Sequence, residues 1–148
     1  MKVADSVIIY HLRTAWLEIE KVYNKVAASH NGTLSMGFAL LVIEKGGTPV
    51  THIAPRLGME PNSMSRLLNS MEKKGLICRK KDEVDKRRVY VCLTEKGIKM
   101  RKLAVKMVFG LNEQISSDIT ADKLAIFFEV MQQIPASIEQ FKDGMQDA

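Results

Sequence analysis

A segment near the middle of the chain, residues 61–74, combines the side chains best able to recognise a nucleic acid. If the segment is helical, four amide and cationic side chains fall together at 100° per residue, opposite an apolar face. These four are Asn62, Arg66, Asn69 and Lys73. Arginine matches the edge of guanine and asparagine matches the edge of adenine, so this face has the residue types that read bases. The pattern predicts a recognition helix for the major groove.

The surroundings of this polar face also favour nucleic-acid binding. Ser63 and Ser65 flank it at the N-terminal end of the helix, where free N–H groups and the helix dipole favour phosphate. An ordinary solvated face is the alternative interpretation. Such faces usually mix charge signs, however, and here only Glu72 lies near the edge. Recognition of DNA is therefore the favoured interpretation.

Basic residues also concentrate in a predicted β-hairpin that follows at once. Residues 76–81 and 88–93 have strand character, and the connection 82–87 is rich in charge and turn formers. A cation at the tip of such a wing can enter a narrow minor groove, where the negative potential is enhanced. The basic residues predicted to contact DNA here are Lys80, Lys81, Lys86, Arg87 and Arg88.

Three acids share the tip with these cations. Asp82, Glu83 and Asp85 would repel phosphate if their carboxylates were free. We expect Asp85 to pair with Arg87 or a neighbouring arginine, which would fix the direction of that arginine before DNA arrives. A merely mobile, charged turn is the alternative.

The charge of the whole chain is concentrated around these two features. The 148 residues carry a net charge of +5, and residues 48–102 hold 14 of the 22 Lys/Arg but 6 of the 17 Asp/Glu. A basic middle between mildly acidic ends indicates a surface for a polyanion. No apolar stretch approaches the ~20 residues of a membrane span, and the start lacks the apolar core of a signal peptide. We expect a cytoplasmic protein with reduced cysteines and no membrane partner.

The elements that must position these residues are mainly helical. The first helix is predicted over residues 5–29, where Gly and Pro are absent. A second helix is capped by Ser35 and stopped by Gly46–Gly47. A third, short helix is capped by Thr51 and contains Pro55, which removes one backbone hydrogen bond.

The remaining boundaries are also signalled locally. Gly58 makes the turn into the recognition helix, and Pro61 suits its first position. After the hairpin, Thr94 caps a fifth helix and Thr120 caps a sixth, which Pro135 must kink or end. The sequence predicts a mainly α fold with a small β-hairpin wing, and a helix, a tight turn and a second helix of this kind constitute a helix-turn-helix.

The apolar face of the first helix is wider than one neighbouring helix would cover. Its apolar residues recur at spacings of three and four, close to a coiled-coil seam. Such width suggests packing against a partner chain as well as against the helix's own domain, and a core helix of a monomer is the alternative. The predicted dimer contacts in this helix are Ile8, Leu12 and Ile19.

Residues 57–97 resemble the core of the MarR family of bacterial winged helix-turn-helix regulators. Their sequence is LGMEPNSMSRLLNSMEKKGLICRKKDEVDKRRVYVCLTEKG. The junction MEKKGLI and the wing DKRRVYVCLTEKG are the most specific parts. With the long first helix and the two closing helices, the resemblance covers nearly the whole chain. It implies a single domain over residues 1–148, with the winged helix-turn-helix at about 34–93 and dimerisation helices at about 5–29 and 95–146.

The resemblance implies a homodimer whose N- and C-terminal helices interlock, and a repressor or activator that often releases DNA when a small ligand binds. By position, Asp85 and Arg87 match the wing aspartate and arginine of the family. Ser63, Met64 and Arg66 match the start of its recognition helix, so the resemblance implies that they contact DNA. The C-terminal residues expected to join the dimer interface are Phe127, Ile138 and Phe141.

Other chemistry finds little support in the sequence. The histidines His11, His30 and His52 have no paired spacing, and a metal site needs three or four converging ligands. Cys78 and Cys92 lie on the two wing strands, where a redox switch is conceivable but two small apolar strand residues are favoured. No phosphate loop, dinucleotide fingerprint or nucleophile elbow occurs, so we expect neither an enzyme nor a cofactor.

The sequence therefore predicts a sequence-specific DNA-binding transcriptional regulator, interpreted as a ligand-responsive repressor that binds a pseudo-palindromic operator as a homodimer. Its partners are double-stranded DNA, a second copy of itself and a small-molecule effector that the sequence does not identify. The alternative is a winged-helix protein-interaction module without sequence-specific DNA binding. An enzyme on the same scaffold is a further rival, and the basic segment 48–102 argues against both.

Overall fold

The computed structural model describes residues 3–146 of the chain. In this range, six α-helices and three short strands follow a single turn of 3-10 helix at Val3–Ser6. The elements in chain order are α1 (Ile8–Ser29), α2 (Leu34–Val42), β1 (Thr48–Pro49), α3 (Val50–Leu57), α4 (Pro61–Lys73), β2 (Ile77–Lys81), β3 (Val89–Leu93), α5 (Glu95–Ser117) and α6 (Ala121–Gln146).

These elements confirm the predicted mainly α fold with a hairpin wing. The three strands form one antiparallel sheet in the order β1-β3-β2. Twelve buried apolar side chains form the core that holds these helices and the sheet together. Ten lie on α2, α3, α4, β2 and β3, and the other two are Ile43, just after α2, and Leu76, just before β2. Its largest fully buried members are Ile43, Ile53, Leu68, Met71, Ile77 and Val91.

Two predicted helix caps are wrong by two residues. Thr33, not Ser35, caps α2, because Thr33 has an extended backbone and its hydroxyl accepts a hydrogen bond from the N–H of Met36 at 3.3 Å. Ser35 is already helical. Thr51 does not cap α3, because β1 runs directly into this helix at Val50 and leaves no intervening loop.

One predicted helix end also differs. The second helix ends at Val42, ahead of the predicted stop at Gly46–Gly47, because the next residue, Ile43, already has an extended backbone. Of the two outcomes predicted for Pro135, a kink or an end, the end does not occur, because the last helix continues to Gln146. A proline removes only one N–H donor, so helical hydrogen bonding can continue on either side of it.

The beginning of α5 is anchored directly to the wing. As predicted, Thr94 caps this helix: its hydroxyl accepts from the N–H of Gly97 at 3.0 Å. Its own N–H donates to the carbonyl of Leu76 at 3.1 Å. Gly97 is buried against the same carbonyl, and a Cβ at this position would lie 1.9 Å from the Leu76 oxygen. Only glycine fits this contact.

The chain divides into two compact units, one up to Met107 and one from Val108 onward, with the boundary inside α5. The first unit contains the core and the wing. Among residues 3–146, no helix has both the length and the apolar character needed to cross a membrane.

Candidate nucleic-acid interface

A tight left-handed turn joins α3 to α4. Gly58 has φ 60° and ψ 31°, a conformation that glycine adopts without steric cost. The next residue, Met59, donates its N–H to the carbonyl of Ala54 at 3.1 Å, which closes the end of α3. Pro61 then occupies the first turn of α4, where a missing N–H costs nothing. The predicted helix-turn-helix is therefore present.

The two faces of α4 separate as the sequence predicts, with one correction. Its apolar face is buried through Met64, Leu67, Leu68 and Met71. The side chain of Met64 is only 2% exposed, so its predicted place among the DNA-contacting residues is wrong: it lies on the core face of the helix. The exposed residues on the other side are Asn62, Ser65, Arg66, Asn69 and Lys73, with Ser63 half-buried.

The cations of this exposed face are not neutralised within the chain. Over residues 3–146, no hydrogen bond or ion pair holds the side chains of Arg66 and Lys73, and Asn62 is equally unengaged. Asn69 differs, because its side-chain oxygen accepts a hydrogen bond from Arg79 on β2 at 2.9 Å. Arg66, Lys73 and Asn62 are thus available to a ligand, whereas Asn69 is partly committed.

Arg79 is a site residue that the sequence did not single out. Its guanidinium donates one hydrogen bond to Asn69 and a second to the Glu72 carboxylate, also at 2.9 Å. Glu72 is the one acid at the edge of the α4 face, and this ion pair neutralises it. A residue-by-residue pattern could not reveal the contact, because it joins a helix to a strand through the tertiary fold.

Two aspartates order the tip of the wing. The Asp82 carboxylate accepts the backbone N–H groups of Val84 at 2.9 Å and Asp85 at 2.8 Å. Asp85 in turn accepts the backbone N–H of Arg87 at 3.1 Å. The bonds from Asp85 and Val84 lower the pKa of Asp82 below its ordinary value, since they stabilise the charged form. Both carboxylates are therefore used inside the turn.

The cations at the tip remain exposed. The expected pairing of Asp85 takes place with Arg88, at 3.9 Å between Oδ2 and Nε, and with the backbone rather than the side chain of Arg87. Lys86 and Arg87 extend into solvent, as do Lys80 and Lys81 on β2. Val84, which no sequence pattern singles out, is 96% exposed at the same tip.

A cleft of about 570 Å³ lies between α3, α4 and the wing. Three of the described residues that line it are arginines. Arg79 is paired with Glu72 and Arg88 with Asp85, so Arg87 is the lining arginine whose side chain is left to bind a phosphate group. The lining residues are Pro49, Val50, Thr51, His52, Ser65, Arg79, Arg87, Arg88 and Val89.

Several other cations of the basic segment serve the fold instead. Arg101 donates to the carbonyls of Leu40 and Leu41 at the end of α2, at 3.0 and 3.4 Å. Arg56 bonds the neighbouring carbonyl of Val42 at 3.4 Å. Such contacts satisfy the unpaired carbonyls of a helix C-terminus and complement its dipole. The net charge of residues 48–102 therefore overstates the number of cations that are free to bind a ligand.

Comparison with known proteins assigns the chain to a family. Residues 40–89 match the model of the MarR family. The organic hydroperoxide resistance transcriptional regulator of Bacillus subtilis (strain 168) is 31% identical over 127 residues, which cover 83% of this chain and 86% of that protein. The chain belongs to the MarR family. It is a transcriptional regulator of the winged-helix type.

Solved MarR structures share this fold. The Staphylococcus aureus MepR–DNA complex superposes with a TM-score of 0.80 at 22% identity, covering 88% of this chain and 98% of that one. CouR from Rhodococcus jostii RHA1, bound to p-coumaroyl-CoA, gives a TM-score of 0.79 at 19% identity, covering 90% and 95%.

In this MarR chain, the residues predicted for the dimer interface are apolar and mostly exposed. In the first unit, no residue of α1 is fully buried, and Ile8 is 64% exposed, while Leu12 and Ile19 are half-buried. In the second unit, Phe141 is 71% exposed. The other predicted residues of α6, Phe127 and Ile138, are also exposed.

The cysteines of the wing face each other across the hairpin. Cys78 pairs with Cys92 in the register of β2 and β3. Thr94 donates its backbone N–H to Leu76, and Asp82 donates its own to Arg88. Because hydrogen-bonded pairs occur at every second position of an antiparallel ladder, Cys78 and Cys92 form such a pair. At a hydrogen-bonded pair the Cα atoms are ~5.5 Å apart, and the side chains are farther apart than at a non-hydrogen-bonded pair. A disulfide requires Cβ atoms ~3.8 Å apart, so this register disfavours one.

The histidines stay separate. His11 contacts the backbone carbonyl of Asp5 at 3.0 Å, and His30 contacts the carbonyl of Val26 at 3.1 Å. His52 lines the cleft beside the wing. In the part of the chain from residue 3 to 146, no three His, Cys, Asp or Glu side chains are placed to hold a metal ion.

Proposed function

We propose that this MarR-family chain is a ligand-responsive repressor that binds a pseudo-palindromic DNA site as a homodimer. One observation carries the proposal. The exposed face of α4 has no free acid, and it lies beside a wing in which the aspartates accept hydrogen bonds from the backbone of the wing itself. The unengaged Arg66 and Lys73 and the exposed Arg87 are the leading contact residues. This combination suits base edges in the major groove and phosphates beside it.

The recognition helix provides the base contacts in this proposal. Arg66 lies on the outer face of α4 and has the donor geometry for guanine, whereas Asn62, at the N-terminal end, keeps both its amide donor and its acceptor. Ser63 and Ser65 sit where the helix N-terminus attracts phosphate. Lys73, near the C-terminal end, reaches the backbone on the far side of the groove.

The wing provides the minor-groove contact. Its tip is held by Asp82 and Asp85, so Lys86 and Arg87 are presented with less loss of conformational entropy on binding. Lys80, Lys81 and Arg88 flank the tip and meet adjacent phosphates.

Dimerisation supplies the second half of the binding site. Large apolar side chains are exposed on α1 and, separately, on α6. Exposed apolar surface of this kind favours an interaction with a partner. A symmetric dimer implies two half-sites about 34 Å apart, or a multiple of that distance. We include Ile8, Leu12, Ile19, Phe127, Ile138 and Phe141 in this interface.

A small-molecule effector completes the proposal. Two structural neighbours hold ligands: CouR is bound to p-coumaroyl-CoA, and the PcaV transcriptional regulator of Streptomyces coelicolor is in complex with its natural ligand. By analogy of fold, a ligand of this chain would lower its affinity for DNA. In this role the chain performs no catalysis and needs no cofactor. Its proposed place of action is the cytoplasm.

Selection of bound sequences from random duplex DNA, combined with sedimentation of the purified protein, tests the proposal. We expect an enriched inverted repeat, a dimer in solution, and weaker binding by Arg87→Ala with unchanged dimerisation. Lys25→Ala, which removes an exposed cation of α1, is the matched control and should bind normally. Absence of enrichment together with salt-independent binding to another protein would favour the interaction-module alternative.

A further inference from the structure

We propose that Arg79 is a positioning residue that sets the base preference of Asn69. By bonding the amide oxygen, Arg79 fixes the orientation of the Asn69 amide and occupies one of the two lone pairs of that oxygen. The NH₂ group is then the part of the amide best placed to contact DNA, so that Asn69 selects an acceptor edge, guanine first, rather than adenine. The inference rests on the proposed DNA-binding function and adds to it the chemistry of one base position.

The orientation of the Asn69 amide follows from the chemistry of its partner. Arg79 Nη2 lies 2.9 Å from Asn69 Oδ1. A guanidinium has five N–H donors and no acceptor, so the amide atom that faces it must be the oxygen. The NH₂ group therefore occupies the other side of the planar amide.

A second bond holds Arg79 in place. Its Nη1 donates to Glu72 Oε2 at 2.9 Å, a charge-assisted bond that is stronger than a neutral one. Asn69 and Glu72 are three residues apart, so they are neighbours on the α4 surface and one guanidinium can reach both. Arg79 itself is anchored in the sheet, opposite Val91, and its side chain is only 30% exposed.

This arrangement also changes the role of the Arg79 charge. The Glu72 carboxylate neutralises it, and both of its terminal nitrogens already donate to protein atoms. Arg79 thus contributes little to phosphate binding compared with the unengaged Lys80 beside it.

The consequence for recognition comes from the pattern of base edges. Asparagine reads adenine by accepting from N6 and donating to N7, which requires both amide atoms. In Asn69 the oxygen is turned toward Arg79, and the free NH₂ can donate to guanine N7 or O6. Asn62, which has no partner among the described residues, keeps both options. The two asparagines of the same helix face therefore differ in what they can read.

The test measures the base preferences of four single substitutions in this chain. Each substituted protein is titrated with duplexes that differ from the selected site at one base pair. Asn69→Ala identifies the position that Asn69 contacts, because its preference disappears there. We expect the wild type to favour guanine over adenine at that position. In Arg79→Ala the amide is free to turn over, so the ratio of guanine to adenine affinity should fall by about five-fold or more, the lower end of the discrimination from one base contact.

Two controls separate positioning from other effects. Lys80→Ala removes a neighbouring cation without touching the amide and should weaken binding to all sequences alike. Arg79→Lys keeps the charge but cannot bridge two acceptors in one plane, so it should shift the preference as Arg79→Ala does. Thermal unfolding followed by circular dichroism shows which variants are folded, and the NMR shift of the Asn69 NH₂ group reports its release without DNA.

The outcomes distinguish a failure of the positioning role of Arg79 from a failure of the proposed DNA-binding function. A preference for adenine in the wild type, or an equal loss of affinity on every sequence in Arg79→Ala, overturns the positioning role while leaving DNA binding intact. If the wild type selects no duplex sequence at all, the proposed function fails and this inference fails with it.

Discussion

At the scale of single residues, the basic segment divides into cations that hold the fold and cations that remain available. Arg101 and Arg56 bond carbonyls at the end of α2, and Arg79 holds two side chains of α4. Arg66 and Arg87 have no such side-chain partner in the described part of the chain. Residue type alone could not separate these groups, because the distinction depends on which carbonyl or carboxylate the tertiary fold brings near.

Arg66 is the residue whose loss should most affect sequence recognition. Arg66→Ala should cost about 1–3 kcal/mol of binding free energy on the preferred site and relax the base preference at one position. Fluorescence anisotropy with the preferred duplex and its single-base variants measures both effects. An equal loss on every duplex would instead make Arg66 a phosphate contact.

At the scale of elements, the wing tip is the part whose structure depends most on two short side chains. Asp82→Ala removes the acceptor for the N–H groups of Val84 and Asp85, so the tip should become mobile and DNA affinity should fall. Asp82→Asn keeps an acceptor oxygen and should retain most of the affinity. Amide NMR relaxation of the tip and DNA titration measure the two effects; equal behaviour of the variants would contradict this account.

The same element has a defined response to acid. Because its backbone hydrogen bonds lower the pKa of Asp82 in the folded chain, their stabilising contribution is fully present above the ordinary aspartate value of roughly 3.9. It is lost as the pH falls through the lowered value. The tip should therefore stay ordered throughout the neutral and mildly acidic range, as its NMR amide signals would show.

The junction between α5 and the hairpin should tolerate no side chain at Gly97. Gly97→Ala places a methyl group against the Leu76 carbonyl and should destabilise the fold by about 1–3 kcal/mol. Gly37→Ala in α2 meets no atom within 4 Å and should be neutral or stabilise by up to about 1 kcal/mol. Urea unfolding of both variants measures the difference, and similar stabilities would show that the junction can relax.

Element boundaries were predictable where a single residue decides them. Gly58 and Pro61 enforce a left-handed turn and a helix start, and Thr94 caps α5 as expected. The cap of α2 was misplaced because Thr33 and Ser35 are chemically alike, and the sequence does not reveal which one precedes the first helical turn. The contact of Arg79 with Asn69 was not predictable, since its partners meet only when β2 packs beside α4.

At the scale of the whole molecule, the exposed apolar residues and the charge distribution have separate consequences. We propose that the apolar residues of α1 and α6 serve the association of two chains, whereas the free cations serve DNA binding. If about six to eight phosphates are neutralised, the logarithm of the association constant should fall with the logarithm of salt concentration with a slope on the order of −6.

Association through α1 should be sensitive to a buried charge. Ile8 is exposed in the single chain, so Ile8→Glu should leave the fold of the chain intact but dissociate the dimer, because a carboxylate in an apolar interface loses its hydration. Asn24→Glu introduces the same charge at an exposed polar position of the same helix and should remain dimeric. Analytical ultracentrifugation measures both, and a dimeric Ile8→Glu protein would place the interface elsewhere.

The contact between Gly97 and Leu76 has a mechanical consequence. Bare backbone meets backbone there, with no flexible side chain between to absorb a displacement. Thr94 ties the same two elements together through hydrogen bonds to Gly75 and Leu76. The first turn of α5 and the root of the hairpin are therefore joined directly through backbone contacts, and we expect a displacement of that turn to shift the hairpin root with it.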